Sequence, residues 1–374
     1  MKPKHLLQFT KRNFLFWLSR KIDYPLVPPD VVQVNFTFRC NLRCKMCSMY
    51  DQMEFLKSQG KQVEIEKDTF RKVIKESKEL GAKAILFIGG EPFLNKDLFE
   101  LIEYARTLGL GTVIVTNGVL LHEENIRKCM QTGVDWLSIS IDAASEGGFS
   151  KIRGQDVFGK IVHNITMLND FRRKGKNRSP KTVAVCTIMD DNLEDIMNVV
   201  QLCKDLEIER VLFQPVVAHN IDQTHRDGNS PGFVPPQRLD VLDKVIDNLL
   251  EYKKKSLSNF DFIGNSTRHL RLIKKYFRGS VKHRELPCYA GYNRVQIVQE
   301  GKIYFCVNQE QFEANYGDIR KDSLKDLWYS QEARSYRKLI RKCKVPCLQW
   351  CSYRDEFTAL AEIFQKAFLF RKVS

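Results

Sequence analysis

The run Val31-Val32-Gln33-Val34-Asn35-Phe36-Thr37-Phe38-Arg39-Cys40-Asn41-Leu42-Arg43-Cys44-Lys45-Met46-Cys47 decides how this chain is read. Its first seven residues, rich in valine and ending in Phe-Thr, predict a strand over Val31–Thr37. Three thiols follow directly, spaced C-x3-C-x2-C. Cysteines this close can take three corners of one iron–sulfur cube and leave the fourth iron without a protein ligand. A cluster that only carries electrons is normally closed by four cysteines, so an open iron marks a place for a substrate or cofactor. Zinc is the competing reading. It asks for four ligands, usually as paired C-x2-C units, and no histidine or fourth cysteine lies nearby.

The spacing resembles the radical S-adenosylmethionine (SAM) superfamily. That resemblance implies a [4Fe–4S] cluster on Cys40, Cys44 and Cys47, with the methionine end of SAM on the open iron. Gly89-Gly90-Glu91-Pro92 supports it from the end of the next apolar run. Two glycines at a strand end permit a backbone approach that a Cβ would block, and a carboxylate beside them can accept from an ammonium group. The segment is similar to the family's GGE motif, which holds the amino group of SAM. By the same resemblance, Ser140 and Asn117 at later strand ends are expected at the ribose. Arg153 is expected to pair with the SAM carboxylate, a role that suits a planar guanidinium. Met46 stands where the family commonly has an aromatic residue near adenine; a polarizable thioether can still pack on a base.

Outward from this core, strands and helices alternate. Strands are predicted over Val31–Thr37, Lys83–Ile88, Thr112–Thr116, Trp136–Ile141, Thr182–Ile188 and Arg210–Gln214. Helices are predicted over Lys67–Leu80, Asp97–Leu108, Glu123–Gln131, Phe158–Lys174 and Leu193–Leu206. Repeated βα units imply a parallel sheet with outer helices. Six units fall short of a closed eight-fold barrel, so the α/β arrangement resembles the partial (β/α)6 TIM-like barrel of radical SAM enzymes. The motifs sit at the C-terminal ends of strands, where βα barrels collect their chemistry. Beyond Pro215, His219–Gln237 reads as a loop, Arg238–Lys255 as a helix and Ala359–Arg371 as a terminal helix.

A second cysteine group opens with Cys288 and Cys306, flanking strand-like Ile297–Gln299 and Lys302–Phe305 around the turn Glu300-Gly301, and closes with Cys343, Cys347 and Cys351. It resembles the SPASM or twitch extension, in which such thiolates hold an auxiliary iron–sulfur cluster. Tyr316–Ile319 and Ser323–Trp328 look like that extension's linker. Five thiols suffice for one four-cysteine cluster, whereas a two-cluster version wants about seven, so one auxiliary [4Fe–4S] cluster is expected. Which of the last three is not a ligand stays open, and a zinc site is the structural alternative. Cys129, Cys186 and Cys203 fall within predicted helix or strand and read as small buried hydrophobes.

The chain of 374 residues is 43% hydrophobic and 28% charged, enough for a large domain and a smaller one. The expected division is an N-terminal basic amphipathic helix (1–28), the barrel (29–222), a loop and helical linker (223–280), the auxiliary cluster domain (281–355) and a C-terminal helix (356–374). Eleven cysteines in two clusters and three strays suit metal ligation in a reducing cytoplasm better than a disulfide scaffold. No stretch reaches the ~18 apolar residues of a membrane span, and no secretory signal is apparent.

The net charge of +15 gathers in the first 22 positions and in Lys253, Lys254, Lys255, Arg268, Arg271, Lys274, Lys275, Arg278, Lys282 and Arg284. An anionic substrate, RNA, an acidic membrane or plain solvent would each accommodate it. Along Leu6–Ile22, Leu7, Phe14, Trp17 and Leu18 share a face with Lys11, Arg12, Arg20 and Lys21 around them. Packing against the barrel is the favoured reading of that face, with peripheral membrane contact as the other.

The function expected is a radical SAM enzyme. It would cleave SAM reductively to a 5′-deoxyadenosyl radical and abstract hydrogen from a peptide or sugar-like small molecule, fed by a donor such as flavodoxin or ferredoxin. An RNA-modifying enzyme is the lesser alternative, because no appended RNA-binding module is visible. A zinc-stabilised binding protein, the third, leaves Gly89-Gly90-Glu91, Ser140 and Arg153 unexplained. No catalytic acid or base is assigned.

Overall fold

The computed structural model describes residues 3–61, 63–175, 179–217, 232–255, 262–282, 285, 287–306, 316–343, 347–349 and 352–353. Most of the loop expected at 219–237, Cys351 and the terminal helix expected at 359–371 lie outside the described residues.

A long helix, α1 (Pro3–Ile22), precedes the alternation. Then come β1 (Val31–Thr37), α2 (Met49–Ser58), α3 (Lys67–Leu80), β2 (Ala84–Gly89), α4 (Leu98–Thr107) and β3 (Gly111–Thr116). The series continues through α5 (Glu123–Thr132), β4 (Trp136–Ser140), α6 (Glu146–Arg153), α7 (Phe158–Lys174), β5 (Lys181–Ile188), α8 (Ile196–Asp205) and β6 (Arg210–Pro215). The six strands meet the sequence expectation to within a residue or so. The helix expected over Leu193–Leu206 starts later, behind a 3-10 turn at Asp190–Asp195. Two helices, α2 and α6, fall outside the expected alternation. α2 buries only Met53 and carries no apolar stripe for periodicity to find, while α6 buries only Phe149 and Ile152 as apolar positions in eight residues.

β1 to β6 lie in chain order, all parallel, which is the partial barrel. α3 shows how the layers lock. It buries Phe70, Val73, Ile74, Ser77 and Leu80, one helical stripe, and Gly81 in the left-handed conformation ends it. Phe70 meets Phe36 of β1 at 5.1 Å and Phe87 of β2 at 5.2 Å between ring centroids. Burying each ring contributes about 1.5–3 kcal/mol. This trio clamps the two strands that deliver the cysteine loop and the glycine pair.

The second cysteine region grows out of the same sheet. β7 (Arg294–Ile297) pairs parallel with β1, Val31 opposite Arg294 and Val34 opposite Ile297. β8 (Ile303–Tyr304) returns antiparallel on β7 through a turn closed by the Val298 N–H to the Lys302 carbonyl at 3.0 Å, with Gly301 at φ +73°. The segment read as a linker, 323–328, contains a helix, Leu324–Tyr329, whose first N–H donates to Glu76 of α3 at 2.6 Å.

At the opposite edge, residues 262–265 lie along β6. The side-chain amide of Asn265 both accepts from and donates to the Phe213 backbone at 2.7 Å, which covers an edge that would otherwise be open to pairing. α9 (Leu239–Lys255) and the helix Thr267–Phe277 pack around it. Several cations of this stretch are paired internally: Lys274 with Asp247 at 2.6 Å, Lys275 with Glu285 at 2.5 Å and Arg278 with Asp243 at 2.9 Å.

α1 corrects an expectation. It docks through Asn13, Phe16 and Ser19, while Leu7 is 71% and Phe14 56% exposed. The physical reason is the seat, which offers polar partners. Arg12 donates to Asp30 at 2.7 Å and to the Pro28 carbonyl at 3.0 Å. Arg20 donates to the Cys288 carbonyl at 2.9 Å. Phe16 joins a small core with Val27, Tyr289 and Tyr292.

Candidate functional site

The cysteine loop leaves the C-terminal end of β1 and is fastened at several points. Arg39 donates through Nε to Glu64 at 2.9 Å, the Lys45 N–H to the Ile152 carbonyl of α6 at 2.9 Å, and Lys45 Nζ pairs with Asp191 at 2.8 Å. Gly154, which ends α6 in the left-handed conformation, lies so close that a Cβ there would stand 2.6 Å from the Arg43 carbonyl oxygen. Within the loop the Cys47 N–H turns back to the Cys44 carbonyl at 3.0 Å. The glycine pair serves the same junction. The Gly90 N–H donates to the Thr37 carbonyl at 2.6 Å and the Glu91 N–H to the Arg39 carbonyl at 2.8 Å. A Cβ on Gly89 or Gly90 would overlap those same carbonyl oxygens. The close backbone approach expected of the glycine pair is made by the chain's own Thr37 and Arg39 carbonyls.

Glu91 is fully buried and ties three strand ends together. Its Oε1 accepts from Thr116 Oγ1 at 2.9 Å and the Phe93 N–H at 3.3 Å, its Oε2 from the Asn117 N–H at 2.8 Å. Burial nonetheless pushes its carboxyl up to about 7 against these donors. A carboxylate has about four acceptor sites, so one on Oε2 remains for an ammonium. Asn117 reaches the first thiol: Nδ2 lies 3.9 Å from Cys40 Sγ and donates to Asn41 Oδ1 at 2.9 Å.

Arg153 sits at the other side of the loop, at the end of α6 and nearly buried. Nη1 approaches Cys44 Sγ at 3.5 Å, and Nη2 is paired with the buried carboxylate of Asp142, just beyond β4. Its Nε is buried with no hydrogen-bond partner among the described residues. Ser140 ends β4, half-buried, and Met46 packs partly buried against the core beside Cys40 and Cys44. Sequence reasoning missed Asp142, Asn41 and Asp191. Asp142 could have been found, because an acid directly after an apolar strand sits at the mouth of the barrel.

Burial, followed by Glu91 and the neighbouring thiols, pushes Cys40 up to about 11, while Cys47 stands exposed. Thiols crowded this way favour a bound cationic centre that takes them as thiolates. Among the described residues no three Cys, His, Asp or Glu side chains converge on the spacing of a single ion.

In the second group, Cys288 opens the approach to β7 and bridges to Tyr353. Burial and then the nearby sulfurs of Cys347 and Cys343 raise its thiol. Cys306 follows β8 and packs with Cys288 against the core. Cys351 lies outside the described residues. The three stray cysteines, Cys129, Cys186 and Cys203, are fully buried, as expected.

A parallel βα barrel whose C-terminal mouth carries three thiols, a buried glutamate and a waiting guanidinium is the architecture of a SAM-dependent iron–sulfur protein. Residues 34–217 match the family model of the Radical SAM superfamily, so the chain carries a radical SAM domain. Residues 288–353 match SPASM, an iron–sulfur cluster-binding domain. The first domain implies a [4Fe–4S] cluster and SAM, and the second implies auxiliary iron–sulfur ligation. The chain is 31% identical over 215 residues to Fe-coproporphyrin III synthase of Methanosarcina barkeri (strain Fusaro / DSM 804), covering 58% of this chain and 47% of that one. It thus spans about half the length of that curated relative. The fold is similar to that of Streptococcus suis SuiB bound to precursor peptide SuiA, with TM-score 0.64, 16% identity, and 92% of this chain and 73% of that chain covered. It is also similar to anSMEcpe with bound AdoMet and Cp18Cys peptide, with TM-score 0.62, 16% identity and 84% of both chains.

Proposed function

We propose that this chain is a radical SAM enzyme: the cluster and SAM, when bound, supply reductive cleavage to a 5′-deoxyadenosyl radical that takes a hydrogen atom from a peptide or sugar-like small molecule. Cys40, Cys44 and Cys47 hold the cluster. Glu91 Oε2 accepts from the amino group of SAM, and Arg153 Nε donates to its carboxylate. Asn117 and Ser140 face the ribose, and Met46 packs on the base. Cys288, Cys306 and two of Cys343, Cys347 and Cys351 would supply the four ligands of one auxiliary cluster. Electrons come from a small donor such as flavodoxin or ferredoxin.

The observation that carries this reading is the convergence of Asn117 on Cys40 and of Arg153 on Cys44, with a buried, unpartnered Arg153 Nε beside them. The peptide complexes of SuiB and anSMEcpe support a peptide as substrate. The test is 5′-deoxyadenosine formed after anaerobic dithionite reduction. Cys44→Ala is expected to abolish it in a folded chain, and wild-type yield from that variant would sink the assignment.

A second substrate reading, a coproporphyrin-type macrocycle, is favoured by the 31% identity to Fe-coproporphyrin III synthase. Under it, added coproporphyrin raises the yield of 5′-deoxyadenosine; under the first it leaves the yield unchanged.

A further inference from the structure

Large apolar side chains that stand exposed among the described residues are unevenly placed. Leu7, Phe9, Phe14, Ile22, Tyr24 and Leu26 lie in or just after α1, and only Phe55 and Leu339 lie elsewhere. Along α1, Leu7, Lys11, Phe14, Leu18 and Lys21 recur every three or four residues and form one stripe. Asn13, Phe16 and Ser19 occupy the opposite side and are sealed at 4%, 0% and 0% exposure. The helix cannot roll to hide the stripe, because Arg12 and Arg20 hold it to Asp30, Pro28 and Cys288 on the inner side. Phe14 stacks on Trp17 at 5.7 Å, and Lys21 Nζ stands 5.6 Å from the Trp17 ring centroid. Basic Lys4, Lys11, Arg12, Arg20 and Lys21 lie on this helix, and Asp and Glu are absent from it.

We propose that the outer face of α1 docks on an anionic phospholipid bilayer, lying in the plane of the interface. Rings and aliphatic chains enter the acyl boundary while lysines meet the headgroups. The charge selects this occupant. A second copy of the face would set Lys11 and Lys21 against themselves, whereas acidic headgroups attract each lysine by about 1 kcal/mol, roughly fivefold in partition. No described helix is long and apolar enough to cross a membrane, so the contact is peripheral. α1 is tied to Pro28 and Asp30, just before β1, while the cysteine loop leaves the far end of that strand. Docking therefore leaves the barrel mouth clear of the lipid. This inference stands whether or not the proposed chemistry does.

The experiment is flotation of the full chain with vesicles of phosphatidylcholine alone and of phosphatidylcholine with phosphatidylglycerol, in low and high salt. Partition onto the anionic vesicles is expected to exceed that onto the neutral ones about tenfold and to fall with salt. Leu7→Glu/Phe14→Glu is expected to lose about tenfold or more, and Lys11→Gln/Lys21→Gln up to about 25-fold, with circular dichroism and iron content unchanged. Absence of flotation, equal flotation on neutral vesicles, or variants that float like the wild type would each overturn the proposal. So would a dimer in solution that Leu7→Glu/Phe14→Glu dissociates, since the face would then belong to a second copy.

Discussion

Arg153 joins the cysteine loop to the far side of the barrel mouth: Nη1 lies 3.5 Å from Cys44 Sγ while Nη2 is paired with Asp142. Asp142 is itself fully buried, and its Oδ1 accepts the Thr187 N–H at 2.7 Å. The acid neutralises and aims a guanidinium that would otherwise be an uncompensated buried cation.

Asp142→Asn is therefore expected to act through Arg153. Removing one partner of a buried pair costs about 3–5 kcal/mol, so the denaturant midpoint should fall. SAM affinity should fall as well, as it does in Arg153→Ala, where losing a charge-assisted bond costs about 1.5–3 kcal/mol. Arg153→Lys should not restore it, because an ammonium lacks the fork that serves two acceptors at once. SAM binding to the anaerobic, reconstituted protein measures this; unaltered affinity in Asp142→Asn would remove the acid from the site.

Glu91 gives a pH signature. Its carboxyl is raised to about 7 in the folded chain, but ionises near about 4.3 when unfolded. Between those values the folded state keeps a proton that the unfolded state has released, so stability falls as pH rises from about 4.5 to about 7. The shift sets a ceiling of about 4 kcal/mol on the change. Glu91→Gln should flatten this slope in anaerobic denaturant titrations; equal slopes in both proteins would contradict the assignment.

Gly90 and Gly147 form a matched pair of tests. A Cβ at Gly90 overlaps the Arg39 carbonyl, whereas one at Gly147 meets nothing within 4 Å. Gly90→Ala should displace the cysteine loop and cost iron at the first site. Gly147→Ala, in α6, should be neutral or stabilise by about 0.4–1 kcal/mol. Iron content and thermal denaturation report both.

The iron count tests the ligand sets. Two [4Fe–4S] clusters bring about eight irons per chain after full anaerobic reconstitution. A Cys40/Cys44/Cys47 triple Ala variant should retain about half, with a cluster spectrum that SAM no longer perturbs. Zinc without iron in that variant would make the second region a structural zinc site.

Much of the site was legible beforehand because its signals are short-range. C-x3-C-x2-C and Gly89-Gly90-Glu91 each lie within a few residues at a strand end, and backbone sterics at such ends restrict which residues fit. The helix Lys67–Leu80 was equally legible, because Phe70, Val73, Ile74 and Leu80 recur at the helical period. By contrast, α2 had no stripe to read and α6 only two buried apolar positions, and Arg153 gave no hint that Asp142 would be its partner.

Taken by itself, the sequence determined the alternation of β1 to β6 with their helices and the residues gathered at the strand ends. Periodicity, glycine placement and cysteine spacing are local properties, and neighbouring residues set them. Only the tertiary structure decided that β7 continues the sheet beside β1, and that Gly90 yields to the Arg39 carbonyl. It also decided that α1 turns Asn13, Phe16 and Ser19 inward and leaves Leu7 and Phe14 outside. Those choices depend on the surface the chain meets after folding back over long separations. A seat of carbonyls and one carboxylate chose the polar face of α1, which hydrophobic periodicity alone would have turned outward.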